Sequence, residues 1–361
     1  MADTLSPFID AAPLEEQKYF IATQQVDEVR HAIFFSRFFN EVIGVNADSY
    51  AETLASTQPD LTYGLRMVFK TLRRITDELR NDRSLPKLAQ AITLYHLIVE
   101  GTLAQTGQHF IADYLARMDV LPGFREGMQN VERDEQRHIA AGVKMLADFN
   151  RQDPEVRPAI REMLAEVMPY TISVFRPPND DERYVTVFGE TLENIAVTGQ
   201  RQIDTRLRAA GLSPTGPEGV LPFLDEDLSY EERAQRSLVM MRAGFFSGGT
   251  EPLQNDPRAL EYFFDLMSRS VRPDHGLKGP KVLQWNFTDA DPWQIRIDNG
   301  NSQAIAGRDP AADVTFTTTL ADWMALIDGR QPIAKALLTR KLRPKGDVRT
   351  LLALPRIFET P

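Results

Sequence analysis

Residues 26–31 read VDEVRH and residues 133–138 read RDEQRH, so the phrase Asp-Glu-x-Arg-His occurs twice in a chain with only five histidines. Residues three apart on a helix share a face, so Glu28 and His31 can reach one point in space, as can Glu135 and His138. A carboxylate oxygen beside an imidazole nitrogen suits iron, manganese or zinc. A single Glu-x-x-His is common and usually marks a solvated charged face with i,i+3 and i,i+4 contacts. Two copies with matching Asp and Arg neighbours constrain the fold much more and point to two helices that face each other, the rival being a pair of solvated charged faces.

A third glutamate strengthens the pattern. The run AITLYHLIVEGTLAQ (91–105) sets Glu100 among apolar residues. Burying an unpaired carboxylate costs several kcal/mol, and a bound cation removes that cost. The LPGF break lies about midway between Glu100 and Glu135, so a helix out and a helix back place them side by side. Two Glu-x-x-His helices with glutamates from further helices make the di-metal carboxylate site of a four-helix bundle.

The rest of the chain fits a multidomain reading. With 361 residues there is room for two domains. Helical periodicity predicts helices over about 14–44, 62–81, 85–118, 125–150, 158–175 and 181–210. Pro, Gly and acidic residues mark a linker over 211–228, followed by a short helix over 229–246 and another over 257–270. VLQWNF, WQIRID and DVTFTT then alternate with period two and predict strands, with helices over 320–358. The expected domains are an all-α bundle over 1–210, a linker with a connecting helix over 211–250, and a small α+β domain over 251–361. Absence of cysteine excludes disulfides and thiolate metal sites. A net charge of −10 without a basic stripe argues against a nucleic-acid partner. No apolar run reaches the roughly 18 residues of a membrane span, and no signal peptide is visible. The expected location is the cytoplasm.

Over residues 10–200 these motifs resemble the ferritin-like superfamily, in particular the ligand-binding oxidases related to the ribonucleotide reductase small subunit. The resemblance implies Glu28, His31, Glu100, Glu135 and His138 as ligands of two metal ions, Fe/Fe or Mn/Fe. It implies that Asp134 orients a ligand histidine through its free ring nitrogen, and that Asp27 does the same on the other side. Phe35 stands where the reductase subunits keep a radical-forming tyrosine, which argues against nucleotide reduction. Tyr95, five residues before Glu100, matches the tyrosine that the oxidases cross-link to a valine; packing in the core is its simpler role. The family's sixth ligand is a carboxylate on a helix before Glu28, expected upstream of Met1, with Asp3 or Asp10 as substitutes or an incomplete site as alternatives. Glu190 and Glu193 are weaker ligand candidates. His96 is expected as a core histidine, His109 as pointing away from the site, and His275 as facing solvent.

The C-terminal stretch carries no nucleophile–base set. Its order of ADVTFTTT, then DWMALIDGR, then RKLRPKGD, then a terminal helix resembles the sterol-carrier-protein (lipid-transfer) domain. That likeness implies an apolar tunnel for a fatty-acid- or sterol-like ligand, lined by Trp285, Phe287, Trp293, Phe316 and Trp323; the simpler alternative is that these faces fill one another.

Together the two halves predict a di-metal O2-activating oxidase or oxygenase acting on a hydrophobic, lipid-like substrate held or delivered by the C-terminal domain. It would need an electron donor, and a homodimer is expected by family likeness. The alternative is a lipid carrier whose metal site is incomplete or structural.

Overall fold

The computed structural model describes residues 4–176, 181–216, 218–221, 224, 228–272, 275–298 and 301–358. A short helix α1 (Ser6–Ala11) leads into the long α2 (Glu15–Phe38). Pro13 precedes α2, and Glu15 and Glu16 in its first turn complement the helix dipole. A π turn (Phe39–Ile43) closes it at Gly44, whose φ of 81° suits glycine.

Helix α3 (Tyr50–Thr57), absent from the sequence reading, follows with Ser49 as its cap. Its apolar residues are few and exposed, so periodicity does not reveal it. Then come α4 (Tyr63–Leu79), capped by Thr62, and α5 (Leu85–Ile92), capped by Ser84. The predicted helix over 85–118 is one continuous rod with a wide middle: α5 passes into a π-helical segment (Thr93–Ala104) and then α6 (Gln105–Met118). The turn lies at Asp119 and Leu121, whose φ angles of 51° and 50° reverse the chain. Pro122 begins α7 (Pro122–Gln152), as proline's fixed φ favours. The LPGF stretch therefore includes the start of the returning helix.

Helix α8 (Val156–Thr171) packs on α4 and α5. The predicted helix over 181–210 is divided: a single turn, α9 (Arg183–Thr186), is separated from α10 (Leu192–Ala209) by Gly189 at φ 82°. Helix α11 (Tyr230–Arg242) starts with a capping box of Ser229 and Glu232. It packs on α10 and on α12 (Pro257–Arg269).

A five-stranded sheet of order β3-β2-β1-β4-β5 follows: β1 (Lys281–Phe287), β2 (Trp293–Asp298), β3 (Asn301–Ala306), β4 (Val314–Thr318) and β5 (Arg343–Gly346). Only β1 and β4 run parallel; the other pairs are antiparallel. Two strands correct the sequence reading. NSQAIA forms β3, though its burial scarcely alternates. RPKG forms the edge strand β5 within the stretch expected to be helical; its pairing to β4 supplies hydrogen bonds that its own pattern does not predict. Helices α13 (Leu320–Ile327), α14 (Ile333–Leu338) and α15 (Val348–Ile357) complete the chain. The protein is thus a mostly helical body followed by a small α+β domain.

The two cores differ in kind. The helical core joins α1, α4, α5, the π segment, α7 and α8. The C-terminal core gathers Phe263, Phe264, Trp285, Trp293 and Phe316, and takes in Met240, Phe245 and Phe246 from the preceding segment. Met241 and Leu238, on another side of α11, pack with Leu192 and Ile195 of α10. Helix α11 therefore contributes to the C-terminal core and to this third, smaller cluster.

Candidate metal centre

The buried seam of α7 runs through Met128, Val131, Glu135, His138, Gly142, Met145 and Phe149. Glu135 and His138 take positions in a 3–4 stripe that an ordinary core helix fills with apolar side chains. The buried seam of α2 is more polar, with Gln17, Ile21, Gln24, Glu28 and His31. Its outward face carries Tyr19, Val26, Val29 and Ile33 instead. The two seams meet, since α2 packs on α7, and α7 packs on the π segment that bears Glu100.

Ligand atoms of Glu28, Glu100, Glu135 and His138 all lie within 4.8 Å of one another, and all four residues are buried. His138 Nδ1 is 3.7 Å from both Glu100 Oε1 and Glu135 Oε2, and 3.9 Å from Glu28 Oε1. His31 joins the group with Nδ1 3.5 Å from Glu135 Oε1. The structure therefore brings five sequence-predicted residues from three segments to one place.

The outer ring nitrogens are held crosswise. His31 Nε2, on α2, lies 3.1 Å from Asp134 Oδ2, on α7. His138 Nε2, on α7, lies 3.3 Å from Asp27 Oδ2, on α2. Arg137 donates to both aspartates, at 2.6 Å and 3.3 Å. Arg30 donates to Asp27 at 2.8 Å. A carboxylate on Nε2–H leaves the Nδ1 lone pair turned inward, the tautomer that a metal requires. The shared spelling of the two phrases thus has a cross-helix logic: each Asp serves the other phrase's histidine.

The donor set fits a cation. Glu28 Oε1, Glu100 Oε2, Glu135 Oε2 and His138 Nδ1 are buried without hydrogen-bond partners among the described residues. Without a cation, burial pushes the carboxyls of Glu28 and Glu100 up, and neighbouring carboxylates add to the effect. Burial also disfavours a charged His138, but Glu100 and Glu135 outweigh it and raise the imidazole to about 10. Three carboxyls sharing so little space repel one another unless protons or metal ions neutralise them. A hard or borderline cation takes oxygen and imidazole donors of this kind.

Sequence reasoning missed Gln24. It is fully buried one turn before Glu28. Its Nε2 donates to Glu100 Oε1 at 2.9 Å, and its Oε1 lies 3.0 Å from His96 Nε2. Gln24 therefore holds the Glu100 oxygen that lies nearest His138 Nδ1, while Oε2 has no hydrogen-bond partner among the described residues. Its position in the seam at 24, 28 and 31 was the available signal. His96 is a core histidine, and burial drives its pKa down to about 3. Gly142 makes room for it: a Cβ there would sit 2.5 Å from His96 Cβ.

Tyr95 is also fully buried, edge-on to Phe8 at 5.9 Å. Its hydroxyl has no hydrogen-bond partner among the described residues. Burial first, then the Glu28 and Glu100 carboxylates, hold the phenol well above its ordinary range. Phe35 is half-buried against Phe34 and Phe124, so no hydroxyl occupies that position.

Other candidates fall elsewhere. Asp10 is ruled out as a substitute ligand: it is exposed and paired with Arg83 at 2.5 Å. Asp3 lies outside the described residues. Glu193 pairs with Arg242 at 2.8 Å and shares a surface cleft with Glu190. His109 is exposed beside Asp113. His275, expected to face solvent, is half-buried, and its Nδ1 accepts the Leu277 N–H at 3.0 Å; the imidazole caps its own loop.

In the C-terminal domain, Trp293, Trp285 and Phe316 stand in register across three adjacent strands. The Trp285 ring lies 5.2 Å from Phe316 and 5.4 Å from Trp323. Phe264 stacks on Trp293 at 5.2 Å and meets Phe287 at 6.0 Å. The five aromatic residues expected to line a lipid tunnel thus belong to one packed cluster. The indole nitrogens of Trp285 and Trp323 are buried without acceptors among the described residues.

Comparison with known proteins adds two findings. Residues 274–359 match the SCP-2 sterol transfer family. The chain is similar in structure to an R2-like ligand-binding oxidase from Sulfolobus acidocaldarius, at 21% identity over 59% of this chain and 73% of that chain, with a TM-score of 0.46. It is likewise similar to a variant R2-like ligand-binding oxidase with an anaerobically reconstituted Mn/Fe cofactor, at 23% identity over 58% of this chain and 73% of that one, with a TM-score of 0.46.

Proposed function

We propose that the helical body holds two metal ions, Fe/Fe or Mn/Fe, and that the chain is an oxidase or oxygenase acting on a hydrophobic, lipid-like substrate held or delivered by the C-terminal domain. The carrying observation is the buried group of Glu28, Glu100, Glu135 and His138, whose ligand atoms lie within 4.8 Å of one another, each residue having one buried oxygen or nitrogen without a hydrogen-bond partner among the described residues. With His31, these residues hold the ions. Such a pair, when bound, supplies electron transfer to O2. The chain's own residues set the conditions. Asp27 and Asp134 fix both imidazoles, Gln24 holds Glu100, and the apolar run around Glu100 excludes water. Tyr95 keeps an un-ionised phenol beside the carboxylates, placed for one-electron oxidation or cross-linking.

The match to the SCP-2 sterol transfer family supports a lipid role for the C-terminal domain. Trp285, Phe287, Trp293, Phe316 and Trp323 part to admit an apolar chain, and the Trp285 and Trp323 N–H groups offer donors to its oxygen atoms. No helix among the described residues is long and apolar enough to cross a membrane.

The test is metal content by plasma mass spectrometry on protein purified without chelator, paired with O2 consumption at an electrode. The expected result is about two metal ions per chain and consumption that Glu135→Ala abolishes. Unchanged consumption in that variant sinks the proposal. A second reading is a lipid carrier with an incomplete metal site; it is favoured by five candidate ligands among the described residues where the ligand-binding oxidases it resembles have six. Co-purifying lipid on a metal-free chain inert towards O2 would select it.

A further inference from the structure

We infer that His96 is a positioning residue for the metal centre: through the Gln24 amide it fixes the direction in which Glu100 is held. This deepens the proposed function and rests on it for the presence of the ions.

His96 is fully buried where the three ligand-bearing segments converge. It stands on the π segment, four residues before Glu100. Its Nε2 lies 3.0 Å from Gln24 Oε1 on α2. On its other side is Gly142 of α7, one turn past His138. A Cβ at Gly142 would come 2.5 Å from His96 Cβ and 2.7 Å from its Cγ. The rings of Tyr95 and Phe8 lie 5.3 and 6.3 Å away. The imidazole is therefore wedged in place, with little room to turn.

Hydrogen-bond chemistry sets the polarity of this chain. As a metal ligand Glu100 is ionised and only accepts, so Gln24 Nε2 donates to its Oε1 at 2.9 Å. The Gln24 oxygen then faces His96 and also only accepts. His96 Nε2 must carry the ring proton, which leaves Nδ1 bare. Nδ1 has no hydrogen-bond partner among the described residues. Burial keeps the imidazole neutral, so only one ring nitrogen holds a proton. The opposite tautomer, with Nδ1–H turned to the Ile92 carbonyl, would need the Gln24 amide reversed. That would set its oxygen against Glu100 Oε1, acceptor on acceptor. His96 thus blocks reversal of the amide. The tether falls on the Glu100 oxygen 3.7 Å from His138 Nδ1 and keeps the carboxyl turned to the cluster.

The experiment uses the full chain and zinc, a diamagnetic ion that takes these donors. Nitrogen-15 NMR of labelled histidine reads the His96 tautomer with and without zinc, and calorimetry reads zinc affinity. The expected tautomer is Nε2–H in both states, and Gln24→Met should convert it to Nδ1–H. His96→Phe and Gln24→Met should each weaken zinc binding 10- to 100-fold. The double variant should bind no more weakly than Gln24→Met alone, because His96 acts through Gln24. If phenylalanine does not fit beside Gly142, His96→Leu removes the same donor in less volume. An Nδ1–H signal in the zinc-loaded parent, unchanged affinity without His96, or additive losses in the double variant would overturn the role of His96 alone. A parent that binds no zinc overturns the proposed function. In that case an Nε2–H signal that Gln24→Met converts upholds the His96–Gln24 chain, and an Nδ1–H signal overturns it too.

Discussion

The helical body and the C-terminal domain bury opposite things. At the centre of the first lie three carboxyls and two imidazoles, several with a buried atom that has no partner among the described residues. At the centre of the second lie rings packed on rings. Hydrophobic burial stabilises the second directly. The first keeps desolvated charge at a cost, and the surrounding apolar core of α4, α5 and α8 offsets it. A core that stabilises and a core that costs stability differ in what holds them together: ring packing in the sheet domain, and a buried polar cluster that needs neutralising in the bundle.

That contrast can be broken by experiment. The largest effect is expected from Trp285→Ala, which should cost about 3–5 kcal/mol in chemical denaturation and leave metal content of the folded fraction intact. Lost metal would show that the two cores are not separable. Next, saturating metal should stabilise the parent by roughly 4 kcal/mol at a thousandfold excess over Kd, and Glu100→Leu should lose that increment in a thermal melt. The same variant without metal should be no less stable than the parent, because a desolvated carboxyl has been removed; a marked loss would mean that Glu100 stabilises the fold itself.

The junction provides the third test. Asp204 of α10 holds Arg233 of α11 at 3.0 Å, and both are almost wholly buried. Asp204→Ala should cost about 3 kcal/mol by stranding the guanidinium. Burial opposes ionisation of Asp204, but Arg208 and Arg233 outweigh it and hold its pKa below the ordinary value. A depressed carboxyl stabilises the folded state above its unfolded pKa, about 3.9, and that contribution fades as pH falls through the folded value. Parent and Asp204→Asn should therefore converge in urea midpoint below about pH 4; parallel midpoints down to pH 2 would refute the pairing. The smallest effect is expected from Asp134→Asn, a 10- to 100-fold weaker metal affinity with little change in metal-free stability. Titration calorimetry reads it, and an unchanged affinity would remove Asp134 from the centre.

Much of this was legible because the candidate ligands are spelled in one dimension. The i,i+3 spacing of Glu28 with His31 and of Glu135 with His138 needs only a helix, and Glu100 declares itself by its apolar neighbours. The period-two strands β1, β2 and β4 were equally plain. Helix α3 and strands β3 and β5 were not, since they are weakly patterned and owe their form to neighbours. Gln24 escaped because a glutamine on a helix has many innocuous roles, and only the approach of Glu100 and His96 gives it one.

The sequence by itself determined which side chains can share a helix face, and so pointed to two Glu-x-x-His pairs facing each other. Three matters were decided by tertiary structure alone. The crossing of α2 and α7 assigns Asp134 to His31 and Asp27 to His138, whereas the linear order sets each Asp beside its own phrase's histidine. The π-helical turn brings Tyr95 and Glu100, five residues apart, to the same side of their helix, where an α-helix would separate them. The aromatic faces of β1, β2 and β4 meet in register and fill one another. The physical reason is common to all three: spacing along a chain fixes directions within one element, and contact between elements depends on how their surfaces pack.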